Sequence, residues 1–547
     1  MKTLFIATFF LCSIFYKTQD IVSVPNPETD LLINSAQLFN RNNYKAGTDS
    51  ILIIDSRKTS TASYDIVIVG GRVIDPQSNL DAVRNVGIKD GRIVAVSRDK
   101  LLGKQIIDAT GLVVAPGFID LHSHGQSLPS DRMQGFDGVT TALELESGIL
   151  PISDWYDSQA KSGRMLNYGA SVAWTFARIQ ELENIPVKAD LVWFQQAFSL
   201  KKWINDPATP LQIENIIASI EQGLREGGIG VGINAGYAPG GGFRELLAVH
   251  KLAAKYQVPT FTHISCANPN DPKSSAECVG QVIAFATVAG DRAHICHLNS
   301  SSQKQIGETA DMIRKAQAKG IRITTEAYTY GAASTVIGSA GFAPEAMHSK
   351  GIDPTDFEYN GKQMDEASYN ELRTQTPGAI VVWHFLNLPK DQSFLDEAVL
   401  FPGAAIASDA LPWIDKKTSK IIRDDAWPLP ATAFAHPRSA GTFTRLLAQW
   451  VRERKVLTLS EAIRKSSLIP AMILESSVPQ MKKMGRLQQG MNADIIIFDP
   501  ATVQDNASFS NPNQPATGMK YVLVNGVPVI FAGQLIRDAR PGKAVRR

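Results

Sequence analysis

Cysteine is scarce in this chain: four in 547 residues, at positions 12, 266, 278 and 296, with no CxxC pair. That argues against a disulfide-framed fold. An excess of one charge is also missing. The formal net charge is only +2 with 20% charged residues, which gives no electrostatic case for nucleic acid or an anionic membrane as a partner. No apolar run has a comfortable bilayer-spanning length; the most apolar stretch, Leu4 to Tyr16, is too short. Gly70-Gly71-Arg72 follows an apolar run but lacks the GxGxxG spacing and opens no helix, so a dinucleotide loop is not supported. What remains is an ordinary globular composition, 44% hydrophobic, long enough for one large domain with an appended module.

The first twenty residues, with Lys2 ahead of the apolar run, read as a secretory signal peptide, although no clean small-x-small cleavage site follows. This implies an exported protein, periplasmic or secreted. Residues 21–62 are polar, rich in turn formers and weakly periodic, as expected of a linker or loosely docked arm.

From Tyr64 the pattern turns to β. YDIVIVGGRVIDP, VGIKDGRIVAVS and QIIDATGLVVAPG carry Gly70-Gly71 and Asp90-Gly91 between apolar runs, which is hairpin chemistry. ADIIIFDP and YVLVNGVPVIFAGQLI, turning at Asn525-Gly526, repeat that pattern near the other end. The economical reading is one small β-sandwich formed by residues 63–115 and 484–547. Between them, short apolar strands alternate with helical stretches: GFIDLHSH, VTTALELE, YGASVAW, GIGVGIN, PTFTHIS, RAHICHLN, IRITTEAY and GAAIASDA. Eight such units over 116–483 predict a (β/α)8 TIM-type barrel inserted into the sandwich, with its site at the C-terminal strand ends. AIVVWHF is a ninth candidate strand, and the irregular stretch near 336–378 reads as an insertion over the barrel mouth, a candidate lid.

Potential ligands fall at those strand ends. His122 and His124 end strand one, His263 ends strand five, His297 ends strand six and Asp409 ends strand eight. Imidazoles two apart on a strand share a face, and such a pair suits a borderline divalent metal. On strand two, Glu144 and Glu146 share a face, and carboxylates inside a barrel are costly unless paired or metal-bound. Glu146, nearer the strand end, is preferred as the ligand, bridging if two ions bind, with Glu144 supporting a ligand or a water. Alternation points His294 and Cys296 away from the pocket, and Cys266 and Cys296 read as small buried packers. Glu326, Tyr328 and Tyr330 end strand seven and are candidates to line the pocket; so is His384.

GFIDLHSHG followed by GVTT, then THIS, HICHLNSS, IASDALP, HPRSAGTF and GRLQQGMNADIIIFDP, resembles the metal-dependent amidohydrolase superfamily, and within it the N-acyl-D-amino-acid deacylase (D-aminoacylase) family. The LELE strand resembles the N-acyl-D-glutamate deacylase branch. The resemblance implies the same barrel and sandwich, one or two zinc ions on His122, His124, His263 and His297, and Asp409 as catalytic acid/base. It makes Tyr237 and Arg438 binders of a substrate carboxylate, a task suited to the planar guanidinium fork. Two departures stand out. Relatives place a cysteine ligand at the end of strand two, where this chain has Ser147 beside Glu146. Their HHK after strand six is His297-Leu298-Asn299 here, leaving Asn299 as the substrate contact in place of a lysine.

The function implied is hydrolysis of the amide bond of an N-acyl-D-amino acid by a metal-bound hydroxide, releasing a carboxylate and a free amino acid. The partner is then a small acyl amino acid. Two further hydrolase readings use the same barrel. One is a dipeptidase; the other is a dihydroorotase-like hydrolase of cyclic amides and imides. The latter commonly needs a bridging carboxylated lysine, and GIGVGIN supplies none. A non-catalytic scaffold would show eroded ligand positions, and these are intact.

Overall fold

The computed structural model describes residues 63–547; the signal-peptide and arm expectations for 1–20 and 21–62 lie outside the described residues. The described residues start with five strands: β1 (Tyr64–Asp75), β2 (Leu80–Lys89), β3 (Arg92–Ser97), β4 (Gly103–Asp108) and β5 (Val113–Pro116). Asp90-Gly91 makes the β2–β3 hairpin, both residues having positive φ as a type I′ turn requires. Gly70-Gly71 is not a hairpin. β1 runs straight through it, and the pair is a bulge at which β1 leaves its parallel partner β4 and takes up β5. Glycine is needed there, because a Cβ on Gly71 would stand 2.4 Å from Val114 Cγ2.

The barrel follows as β6 (Phe118–Asp120), β7 (Val139–Ile149), β8 (Asn167–Ala173), β9 (Val231–Asn234), β10 (Pro259–His263), β11 (Arg292–Ile295) and β12 (Ile323–Ala327). An insertion then adds β13 (Ala332–Val336), β14 (Phe357–Tyr359), β15 (Lys362–Gln363) and β16 (Ile380–His384), before β17 (Ala405–Ile406) completes the barrel. β6 to β12 and β17 are neighbours in sequence order, all parallel, and a parallel bridge between Ser123 and Ala410 joins the two edges. These are the eight strands expected from the sequence.

The insertion is wider than 336–378. Its strands form a separate antiparallel sheet, β13-β16-β14-β15, around Phe342, Phe357, Tyr369 and Trp383. AIVVWHF is its central strand β16, paired with β13 rather than with the barrel. Partners so far apart in sequence carry no local hairpin signal, which is why the segment reads as loop.

A small sheet of β18 (Ile414–Asp415), β19 (Lys420–Ile421) and β20 (Ala433–Phe434) follows the barrel. The chain then returns to the first sheet with β21 (Ile495–Phe498), β22 (Met519–Val524), β23 (Val527–Phe531) and β24 (Gln534–Leu535). Asn525-Gly526 turns β22 into β23, as its sequence requires. β21 pairs antiparallel with β5, so strands from both ends of the described residues share one nine-stranded sheet, with Ile66, Ile68, Val86, Ile495 and Leu523 in its core. Past β24, Val545 hydrogen-bonds Tyr168 and packs with Leu143 and Phe261 in the barrel interior. No helix among the described residues is long and apolar enough to cross a membrane.

Candidate metal centre

Glu146 is the hub of the barrel mouth. Its Oε1 lies 2.8 Å from His297 Nε2 and 2.9 Å from His263 Nδ1. Its Oε2 accepts from Asn234 Nδ2 at 3.0 Å and lies 3.3 and 3.5 Å from the Nε2 atoms of His122 and His124. The four imidazoles thus form two pairs, His122 with His124 and His263 with His297, each with its closest nitrogens 3.1 Å apart. Glu146 joins the pairs. Asp409 Oδ1 stands 3.4 Å from both His122 Nε2 and His124 Nε2.

Local backbone choices set these positions. β6 ends at Asp120, whose buried carboxylate accepts from the His122 and Ser408 amides and so ties the first barrel strand to the last. Asp409 has φ +52° and His297 φ +34°, left-handed values that side chains seldom adopt away from turns and functional sites. At His297 this has a direct consequence. β11 stops at Ile295, so strand alternation does not extend to residue 297, and His294 as well as His297 turns inward. His294 Nε2 lies 3.2 Å from Glu326 Oε2, and Cys296 lies against His122 and Glu326 rather than pointing away. Sequence reasoning set His294 aside on an alternation that the backbone breaks.

Beneath the ligand atoms, carboxylates hold the outer imidazole nitrogens. Glu326 accepts from His122 Nδ1 at 2.6 Å, and Glu144 from His124 Nδ1 at 2.8 Å. Each contact occupies Nδ1 and aims Nε2 at Glu146 and Asp409, so that loss of the Nε2 proton presents its lone pair to a metal. Glu326 is therefore an orienting group below the site and not a pocket wall. The Glu326→Gln protein should bind its metal roughly 10–100-fold more weakly. Competition with a chromogenic chelator measures this directly, and an unchanged affinity would remove Glu326 from that role.

The remaining expected residues divide sharply. Tyr237 lines the cavity, its ring centre 5.0 Å from that of His263 and its hydroxyl 3.4 Å from Thr335 Oγ1. Arg438 is fully buried behind Asp409: Nε donates to the Asp409 carbonyl at 2.7 Å and Nη2 pairs with its carboxylate at 2.8 Å. It lies over the Tyr328 ring and does not line the cavity. Asn299 is spent on backbone, donating to the carbonyls of Tyr328 and Tyr330, because the turn after His297 points its amide at the end of β12. Tyr328 and Tyr330 are buried packers rather than pocket walls. His384 belongs to β16, bonds Asn387 and faces a different cavity. Cys266 is not a lone packer; it is disulfide-bonded to Cys278, and its loop forms part of the cavity wall. The rest of that wall is largely apolar and comes from the helix Leu191–Ala197 and from the insertion, through Phe194, Val336, Phe342, Ile380 and Trp383. Sequence reading had no signal for these, since they converge only once the insertion folds back over the barrel.

Charge shows what the donor set fits. Glu144, Glu146, Glu326 and Asp409 are all buried, and Arg438 is the only guanidinium among them. Burial pushes the Glu146 carboxyl up, but the His122 and His263 imidazoles outweigh this and hold it well below the usual carboxylate range. Burial works against charge on His122 and His124 too, yet the carboxylates around them, led by Asp409 for His122 and Glu144 for His124, push both well above their ordinary value. The buried carboxylates thus favour positive charge among them, as protons on the imidazoles or as a metal cation. Four imidazole nitrogens and a shared carboxylate in such a space fit one or two divalent cations, whose arrival would displace those protons.

The model of a family described as "Amidohydrolase family" matches residues 105–182 and 214–530 of this chain. An N-acyl-D-glutamate deacylase of Alcaligenes xylosoxydans xylosoxydans is 27% identical, over 88% of this chain and 96% of the relative. A D-aminoacylase of the same organism is 24% identical, over 87% and 97%. Among solved structures, the N-acyl-D-glutamate deacylase of Bordetella bronchiseptica, complexed with zinc and a phosphonate mimic of the reaction's tetrahedral intermediate, shares the fold. Its TM-score is 0.71 at 22% identity, covering 88% of this chain and all of that one. The matched family model spans the eight barrel strands and, of the first sheet, β5, β21 and β22 with most of β4 and β23, and this chain belongs to the amidohydrolase family.

Proposed function

We propose that this protein is a metal-dependent hydrolase that cleaves the amide bond of N-acyl-D-amino acids. The observation that carries the reading is the convergence of His122, His124, His263 and His297 on Glu146, with Asp409 alongside. The names of the relatives supply the substrate class. These five donors would hold one or two divalent cations, zinc being the ion in the similar solved structure. Such a cation supplies a Lewis acid and brings the pKa of water toward neutrality.

The chain's own residues do the rest. Burial raises the Asp409 carboxyl, but Arg438 and His122 more than offset this, leaving it below its ordinary value. Asp409 is therefore ionised at neutral pH and competent as a base. It takes a proton from the attacking water as the oxygen bonds to the acyl carbon, then delivers it to the amide nitrogen as the C–N bond breaks. Burial pushes the Tyr237 phenol up, so its hydroxyl stays a neutral donor on the cavity wall, available to the developing oxyanion.

Export is part of the same proposal. Its supports are Lys2 with the Leu4–Tyr16 apolar run and the Cys266–Cys278 disulfide, a bond that persists in oxidising compartments.

A hydrolysis panel tests the activity on metal-loaded protein, with N-acetyl-D- and N-acetyl-L-amino acids, dipeptides and cyclic imides. Cleavage of the N-acetyl-D-amino acids, with little of the L series, is expected. Turnover of cyclic imides with no acyl-amino-acid cleavage would defeat the proposal in favour of a dihydroorotase-like reaction.

A further inference from the structure

A free carboxylate distinguishes an acyl amino acid from a simple amide, and something in the cavity must meet it. Of the expected partners, neither Asn299 nor Arg438 lines the cavity. The Asn299 amide is bound to two backbone carbonyls, and Arg438 sits behind Asp409 with no face on the cavity. Among the described residues lining the cavity with His124, Glu146, His263, His297 and Asp409, one alone is a lysine or arginine. That residue is Lys350, the last residue of the insertion helix Pro344–Lys350.

Lys350 has little else to do. Its ammonium donates to one backbone carbonyl, Gly341 O at 3.0 Å, and no carboxylate among the described residues pairs with it. It stands 5.9 Å from the centre of the Phe342 ring, on a stretch of wall that also carries Ile380 and Trp383. Burial in that apolar setting lowers its pKa, the mark of a cation short of an anionic partner. A charge-assisted hydrogen bond is strong in such surroundings, where water competes little.

We propose that Lys350, carried by the insertion and not by the barrel, binds a free carboxylate of the substrate and so sets the enzyme's preference for acyl amino acids over neutral amides. This rests on the hydrolase reading above. It assigns the insertion a recognition task, and it relocates to the lid a charge that the loop after β11 lacks.

The test compares wild type, Lys350→Met and Lys350→Arg, each metal-loaded, on three substrates. N-acetyl-D-leucine carries only the α-carboxylate, N-acetyl-D-glutamate adds a side-chain carboxylate, and N-acetyl-D-leucinamide carries neither. The methionine variant should raise KM about 10–100-fold for the acids, as expected for loss of one hydrogen bond to a charged group, with kcat changed only a few-fold. The leucinamide should be indifferent to it, and arginine should restore part of the loss. A loss confined to the glutamate compound would identify the side-chain carboxylate as the partner; a loss on both acids would identify the α-carboxylate.

Equal losses on acids and leucinamide, or none on any, would overturn the proposal and leave Lys350 a staple for the Gly341 loop. Calorimetric titration of N-acetyl-D-leucine into Asp409→Asn protein, with and without Lys350→Met, reads the same contact without turnover. Wild-type inactivity on all three compounds would count against the hydrolase reading alone. Loss of anion binding in the double variant would still support the lysine contact, and unchanged or absent binding would reject it.

Discussion

Asp409→Asn should reduce kcat on an N-acetyl-D-amino acid by about 1,000-fold or more, toward the upper end of what a positioned acid/base contributes. The substitution is a clean one. Asp409 holds a left-handed backbone, φ +52°, and asparagine is among the few residues that enter that region readily. The amide oxygen can still accept from Arg438, whose guanidinium is fully buried, so that charge keeps a polar partner. What disappears is its basicity: the oxygen that pairs with Arg438 and stands 3.4 Å from His122 Nε2 and His124 Nε2 becomes a neutral amide oxygen, a far weaker proton acceptor. Metal content, measured by elemental analysis, should stay near the wild-type value because the imidazoles and Glu146 are untouched. Activity above about a tenth of wild type would remove Asp409 from proton transfer, since one step of general catalysis is worth at least roughly 100-fold.

Glu146→Gln should act on the metal itself. One carboxylate lies within 3.5 Å of a nitrogen on each of the four histidines, and no other carboxylate among the described residues joins both imidazole pairs. Glutamine keeps the shape and the contact to Asn234 but removes the charge and one of the two acceptors. The space would keep its imidazoles and lose the anion that holds a cation between them. The expected result is a drop in bound metal to at most one ion per chain, with turnover falling about 1,000-fold or more, as loss of a Lewis acid and its activated water implies. Elemental analysis after extensive dialysis, with a hydrolysis assay on the same sample, checks both. Full occupancy with wild-type turnover would show that the histidines suffice and that Glu146 is structural.

The contrast between these two residues and the ones the sequence misplaced has a physical reason. All eight barrel strands were legible because each is a short apolar run ending at a loop, and the convergence of His122, His124, His263 and His297 follows from topology once those runs are placed in order. Side-chain direction past a strand end was not legible. Counting through His297 turns His294 and Cys296 outward, but the positive φ of His297 breaks that count. Gly70-Gly71 looked like a hairpin because a bulge uses the same residue; only the long-range pairing of β1 with both β4 and β5 tells them apart. Cys266 and Cys278 lie twelve residues apart with nothing in the intervening sequence to announce a bond; the loop after β10 and the helix Ser275–Ala289 bring them together. Asn299 and His384 failed for a related reason. Their chemistry suits a pocket, but neighbouring backbone and Asn387 claim their polar atoms first.

The antiparallel pairing of β5 with β21 also has a consequence in time. β5 is complete at Pro116 and its partner begins at Ile495, with the whole barrel between them. At synthesis speeds of ~5–20 residues per second, the first sheet waits roughly 20 to 80 s for its missing strands. Val545, which packs in the barrel interior, arrives later still. Throughout that interval apolar strands of both domains are made but unsealed, and every metal-facing residue through Asp409 exists before the enclosure that holds it. The molecule therefore assembles as a latch rather than in series, closing on its last fifty residues, and a chain interrupted before β21 would hold the site's donors without a finished frame.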